Sequence, residues 1–223
     1  MPEVGLFDII GPVMIGPSSS HTAGAARIGF IARLLAGEKI NSVLFRLHGS
    51  FAKTQSGHGT DKALLAGVLG LKPSDERLKD AYELADQAGL DYRFICVDLG
   101  DVHPNSVEIV VDGTEGEISI VGCSLGGGVI KITQINDNPV DFSGDYPTLI
   151  TLHDDQPGVL AKITELVADY GVNVASMRVF RNRRFDQAMM VLETDETIPS
   201  AALEKITDLS FIYQLFVVDA ISL

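Results

Sequence analysis

Cysteine is scarce in this chain: Cys96 and Cys123 are the only two in 223 residues. Two thiols exclude a disulfide framework, and alone they cannot ligate an iron–sulfur cluster. Basic side chains are also few, with 17 Lys and Arg against 30 Asp and Glu and a net charge of −13. Such a field repels phosphate backbones and anionic lipid, which argues against nucleic-acid and membrane-surface roles. No apolar run is long enough to span a bilayer. No basic segment precedes the apolar residues of the opening M-P-E-V-G-L-F-D-I-I-G-P, so no secretory signal is expected and the expected location is the cytoplasm. What is present is the balance of a globular protein, 46% hydrophobic and 21% charged, in a length that holds one large domain or two small ones.

The stretch G-P-S-S-S-H-T-A-G, Gly16 to Gly24, stands before a run with Ile28, Ile31, Leu34 and Leu35 on one stripe. That spacing predicts a helix stopped at Gly37. A short strand, S-V-L-F-R-L-H, follows, and G-S-F-A-K-T-Q-S-G-H-G reads as a loop because glycine and small polar residues dominate it. T-D-K-A-L-L-A-G-V-L-G resumes helical character with Thr60 or Asp61 suited to the cap, and Ser74 caps a further helix ending at Gly89. The period then changes to two. Y-R-F-I-C-V-D, S-V-E-I-V-V-D, G-E-I-S-I-V-G and V-I-K-I-T-Q-I read as strands, with Asp112-Gly113 as a turn signal. Residues 136–147, N-D-N-P-V-D-F-S-G-D-Y-P, gather chain breakers and read as a linker, giving domains at 1–143 and 148–223. Beyond it the order is βαββαβ, the split-βαβ pattern, with a helix from Pro157 to Gly171. The fold class is therefore α+β.

Within that second module, D-D-Q-P-G-V-L (Asp154 to Leu160) lies between the first strand and the first helix. The module resembles the ACT domain, a ferredoxin-like regulatory fold that binds amino acids at interfaces between copies. The resemblance implies regulatory roles for Asp155, Pro157 and Gly158. Pro157-Gly158 lets the backbone turn tightly and leaves helix N–H groups for a carboxylate, and Asp155 can accept from an amino group. A plain strand-to-helix turn is the alternative. In the N-terminal part, G-P-S-S-S-H-T-A-G, G-S-F-A-K-T-Q-S-G-H-G-T-D-K-A, H-P-N (103–105) and S-L-G-G-G (124–128) stand in order. Together they resemble the β subunit of iron–sulfur-dependent L-serine dehydratases, which deaminate L-serine to pyruvate and ammonia. That resemblance implies a partner α subunit carrying the cysteines of a 4Fe-4S cluster, and no metal ligand on this chain. It also implies an N-terminal fold like the allosteric-substrate-binding domain of a phosphoglycerate dehydrogenase. Self-association through the ACT or N-terminal domain is expected as well.

The chemistry of the residues agrees. Deaminating serine requires removing a weakly acidic α-proton, which suits a positioned histidine near neutral pKa. His58, between two glycines, is the expected general base. The substrate carboxylate needs hydroxyl and backbone donors, and Ser18, Ser19 and Ser20 at a helix start offer both. His21 and Thr22 in the first motif, Thr60 and Asp61 after His58, and His103 and Asn105 in H-P-N complete the expected substrate-binding set. His48 reads as structural and His153 as a surface residue.

Three rival readings remain open on sequence alone. Lys53 and the triple glycine Gly126–Gly128 faintly resemble pyridoxal-phosphate dehydratases, though the spacing around Ala52 departs from that pattern and the domain is short for it. A non-catalytic amino-acid-sensing regulatory protein would use the serine loop for binding only. A serine hydrolase built on Ser20-His21 lacks a G-x-S-x-G elbow.

Overall fold

A computed structural model describes residues 16–37, 39–54, 57–114, 116–182 and 186–221. The chain forms two compact units that divide between residues 136 and 137.

In the first unit Ser18, extended at φ −145°, starts the helical run and accepts the His21 backbone N–H on its side chain. One π turn, Ser19–Ala23, leads into α1 (Gly24–Ala36), which stops at Gly37 with φ +85°. Ile28, Ile31 and Leu35 of the predicted stripe are buried. The first half of α1 is buried all round, including Arg27, whose guanidinium donates to the Gly128 carbonyl at 2.9 Å. Next come β1 (Ile40–Leu47), α2 (Gly49–Thr54) and α3 (Thr60–Val68).

The segment read as a loop after β1 thus contains a short helix. Gly49 turns into it at φ +56°, Ser50 N–H donates to the Pro104 carbonyl at 2.7 Å, and fully buried Phe51 anchors it. Neither Thr60 nor Asp61 caps α3. The cap position is Gly59, left-handed at φ +68°, with no side-chain bond. The Ser74 cap is also displaced by one residue. Asp75 accepts the Arg77 N–H and opens a 3₁₀ turn, Glu76–Asp80, that precedes α4 (Ala81–Ala88) and its Gly89 stop.

The strands are β2 (Asp91–Cys96), β3 (Ser106–Gly113), β4 (Gly116–Gly126), β5 (Val129–Ile135) and β6 (Asn138–Phe142). The sheet order is β2-β1-β3-β4-β5-β6, parallel between β1 and β2 and antiparallel through β1-β3-β4-β5. Gly113 ends β3 rather than occupying the turn after it. The segment read as a linker holds β6, because Val140 and Phe142 alternate into the interior while Pro139 stays exposed, as an edge strand allows. The inward positions of β1, β3 and β4, such as Phe45, Ile109 and Ile120, are buried at no more than 1% exposure and form the core under α1, on which α3 packs.

Two glycines set how those helices pack. A Cβ on Gly29 of α1 would lie 2.2 Å from the Leu64 carbonyl oxygen, and one on Gly67 of α3 would lie 2.2 Å from that of Ala26. The two helices therefore touch backbone to backbone, which only glycine permits.

The second unit begins with β6 and continues with β7 (Thr148–Asp154), α5 (Val159–Asp169), β8 (Val174–Asn182), β9 (Gln187–Thr194), α6 (Ser200–Thr207) and β10 (Ile212–Val218). Its antiparallel sheet has the order β10-β7-β9-β8, the split-βαβ arrangement expected from the element order. Ile163 and Val167 of α5 and Ile206 of α6 pack with Leu149, Met190 and Leu192 in a separate core. The α+β fold class is as the sequence indicates. Among the described residues no helix is long and apolar enough to cross a membrane.

Candidate active site

The starts of α1 and α3 bring two histidines together. The rings of His21 and His58 lie 5.3 Å apart, tilted by 38°. His21 is held on both nitrogens. Nδ1 lies 3.4 Å from Ser18 Oγ, and Nε2 is hydrogen-bonded to Ser50 Oγ at 3.0 Å. Phe51 meets the ring edge-on at 5.4 Å. Burial lowers the pKa of His21 from its ordinary 6.5, and the nearby charge of His58 lowers it further, so the ring favours its neutral form.

His58 is exposed, but its backbone is tied at both polar groups. Its N–H donates to the Thr54 carbonyl at 3.1 Å, and its carbonyl accepts the Thr22 hydroxyl at 3.3 Å. Thr22 is itself buried, with its N–H on the Ser18 carbonyl at 2.8 Å, so it fastens the two helix starts to each other.

The other motifs close around the same point. Gly49 has no room for a side chain, since a Cβ there would meet the Pro104 carbonyl oxygen at 2.4 Å. Asn105 and Ser124 pair: the Ser124 N–H donates to the Asn105 carbonyl at 3.0 Å, and the Asn105 side-chain amide donates to the Ser124 carbonyl at 3.3 Å. Ser124 in turn faces Gly24, where a Cβ would fall 2.2 Å from its hydroxyl. A Cβ on Gly126 would stand 3.7 Å from Ser20 Oγ, so the triple-glycine turn borders the serine cluster. The four sequence motifs thus converge.

Not every expected residue points the same way. Ser19 and Ser20 are half-buried in the π turn, and the Ser19 carbonyl accepts the Gly24 N–H. His103 is exposed and its Nδ1 accepts the Asn105 N–H at 3.2 Å, which shapes the H-P-N turn. Thr60 is fully buried, with no hydrogen-bond partner on its hydroxyl. Asp61 is engaged elsewhere. One carboxylate oxygen accepts the Tyr82 hydroxyl at 2.7 Å and the other the Lys62 N–H at 2.8 Å. Burial and that carboxylate together push the Tyr82 phenol well above its ordinary range. His48 is structural as expected, its Nδ1 accepting the Leu99 N–H at 3.1 Å. Lys53 is exposed. Sequence reasoning passed over Ser50 and Phe51, although both lie inside a quoted motif directly after Gly49.

A cavity of about 400 Å³ lies in the second unit, lined by His153, Asp155, Pro157, Gly158, Leu160 and Arg181 among others. Gly158 turns at φ +94° and no side chain caps α5. Arg181 pairs with Asp155 at 3.1 Å. His153 is not a surface residue. It is 2% exposed, its Nδ1 lies 2.8 Å from the Asp154 carbonyl and its Nε2 has no partner. It is buried because it faces inward from a strand flanked on both sides by β9 and β10.

Cys96 is exposed and Cys123 buried, and among the described residues no group of three or more His, Cys, Asp or Glu side chains could hold a metal ion. This donor set does not fit a four-iron cluster.

Fold and side-chain geometry define an α+β chain with a histidine and serine cluster in its first unit and a ferredoxin-like module in its second. The serine dehydratase beta chain family matches residues 5–93 and the ACT domain family residues 148–211. The chain is 42% identical to the probable L-serine dehydratase beta chain of Bacillus subtilis, covering 94% of this chain and 96% of that one. It is also 42% identical to the L-serine dehydratase beta chain of Peptoniphilus asaccharolyticus, covering 91% and 94%. A D-3-phosphoglycerate dehydrogenase from Synechocystis is 29% identical over 87% of this chain and 35% of its own length. The chain belongs to the serine dehydratase beta-chain family.

Proposed function

We propose that this chain supplies half of a composite site in which L-serine is deaminated to pyruvate and ammonia, the other half coming from an α subunit that bears a 4Fe-4S cluster. The observation that carries the reading is the meeting of His21 and His58 beside Ser18–Ser20, with ring centres 5.3 Å apart. His58 is the accessible imidazole, fixed through its backbone rather than its ring, and so is free to take the α-proton. The N–H groups at the helix start and the Ser19 and Ser20 hydroxyls hold the carboxylate, with Ser18 placing His21 beside them and the helix dipole favouring the charge. Asn105, half-buried beside Ser124, and His103 shape the opposite wall. Thr60 and Asp61 support this site from the base of α3. This chain's share is thus proton removal and substrate binding. The cluster belongs to the partner, since two cysteines, one buried and one exposed, cannot hold it.

The second unit, assigned to 148–223 against 1–143 for the first, is an ACT module in which Asp155, Pro157 and Gly158 meet an amino-acid effector, and the chain self-associates through this module or through the N-terminal domain. The rivals gain nothing from the geometry. His21 is bonded to Ser50 rather than to Ser20, and Lys53 is exposed where a Schiff-base lysine needs shelter.

The test is anaerobic mixing with the cluster-bearing partner. Serine-dependent pyruvate should appear only in the pair, and His58→Ala should abolish it while the two subunits still co-elute. Turnover surviving that substitution would remove His58 from its role.

A further inference from the structure

The geometry points to Ser50 as a further substrate-binding residue, the end of a directed hydrogen-bond relay from Ser18 through His21 whose last hydroxyl donates to the substrate carboxylate. The identity of that substrate rests on the function proposed above; the relay itself does not.

The assigned direction puts one proton on each bond of the chain. Ser18 Oγ already accepts the His21 backbone N–H at 3.2 Å, which leaves its own proton to turn toward His21 Nδ1 at 3.4 Å. A neutral imidazole has one N–H, and with Nδ1 accepting it lies on Nε2. Nε2 then donates to Ser50 Oγ at 3.0 Å. Having accepted, the Ser50 hydroxyl keeps its proton for a ligand. Chains of this kind polarise each successive donor, which strengthens the last bond to an anion.

Ser50 cannot drift from this position. Its N–H is on Pro104, its carbonyl accepts the Thr54 hydroxyl at 2.8 Å, and Phe51 beside it is fully buried against the His21 ring. The arrangement has a chemical point. A cationic His21 would bind the carboxylate too, yet its charge 5.3 Å from His58 would oppose protonation of the base. A hydroxyl polarised by a neutral ring binds the carboxylate without that conflict.

Nitrogen-15 NMR of the imidazoles in the isolated chain tests the relay without any partner. His21 should show the Nε2–H tautomer, and Ser50→Ala should shift its Nε2 signal and its titration while His48 and His103 stay put. An Nδ1–H tautomer in the wild-type chain, or a His21 spectrum indifferent to Ser50→Ala, overturns the proposal. So does labelling of Ser50 by a fluorophosphonate, which would mean that His21 takes the Ser50 proton and makes it a nucleophile. In the assembled enzyme, Ser50→Ala should raise KM for serine on the order of tenfold or more with kcat little changed, the scale of a lost hydrogen bond to a charged group. Ser50→Thr, which keeps the hydroxyl, should restore KM; an unchanged KM in the alanine variant sinks the substrate contact. If the wild-type pair fails to deaminate serine, the functional reading falls while the NMR result still judges the relay.

Discussion

His21 is the residue whose environment says most. It is half-buried between Ser18, Ser50, Phe51 and His58, and the cost of burying its charged form holds its pKa below 6.5. A histidine with a depressed native pKa binds fewer protons folded than unfolded, so stability rises with pH across that window. Above pH 6.5 both states are neutral at His21 and its contribution is flat. As the pH falls below 6.5 the unfolded chain protonates first and stability drops, levelling off once the native ring also protonates. Denaturant unfolding at stepped pH should show this slope, and His21→Gln should flatten it. An unaltered slope would place the titration elsewhere. Sequence alone singled out His21 and His58 as candidates because both sit in motifs, but it could not pair His21 with Ser50, twenty-nine residues away. That contact depends on α2, a six-residue helix whose glycine and polar content reads as loop. Only the burial of Phe51 and the Pro104 contact, both tertiary, make it helical.

At the level of elements, helix stops were legible and starts were less so. Gly37 and Gly89 end helices because positive φ is a local property of glycine. The α3 start was misread because Thr60 and Asp61 are good capping types, while the chain uses a left-handed Gly59 and spends Asp61 on Tyr82. β6 was hidden by Pro139, which marks a breaker in sequence and an exposed edge position in the fold. The α1–α3 contact was invisible, since Gly29 and Gly67 look like weak points in two helical patterns. They are where the patterns meet. Gly29→Ala should destabilise the protein by about 1–3 kcal/mol or more, as overpacking against backbone does, read as a lowered midpoint in denaturant unfolding. A neutral effect would show that the helices can separate at no cost.

For the whole molecule, two cores in one chain predict two unfolding transitions rather than one. Leu192 is fully buried in the second core, and Leu192→Ala should cost about 2–5 kcal/mol there. Calorimetry should then show one transition moved and the other in place; a single transition shifted as a whole would show that the units unfold as one. Within the first unit, the backbone contact at Gly29 and Gly67 reaches further than stability. α1 carries His21 just ahead of its start and α3 carries His58 just ahead of its own, so the two imidazoles ride on the ends of two rods clamped where Gly29 meets Leu64 and Gly67 meets Ala26. With no side chain in the clamp, there is nothing compressible to let the rods slide. The spacing of the two histidines is thereby a gauge set about two turns away, and a single methyl group added there would reset it without touching either ring.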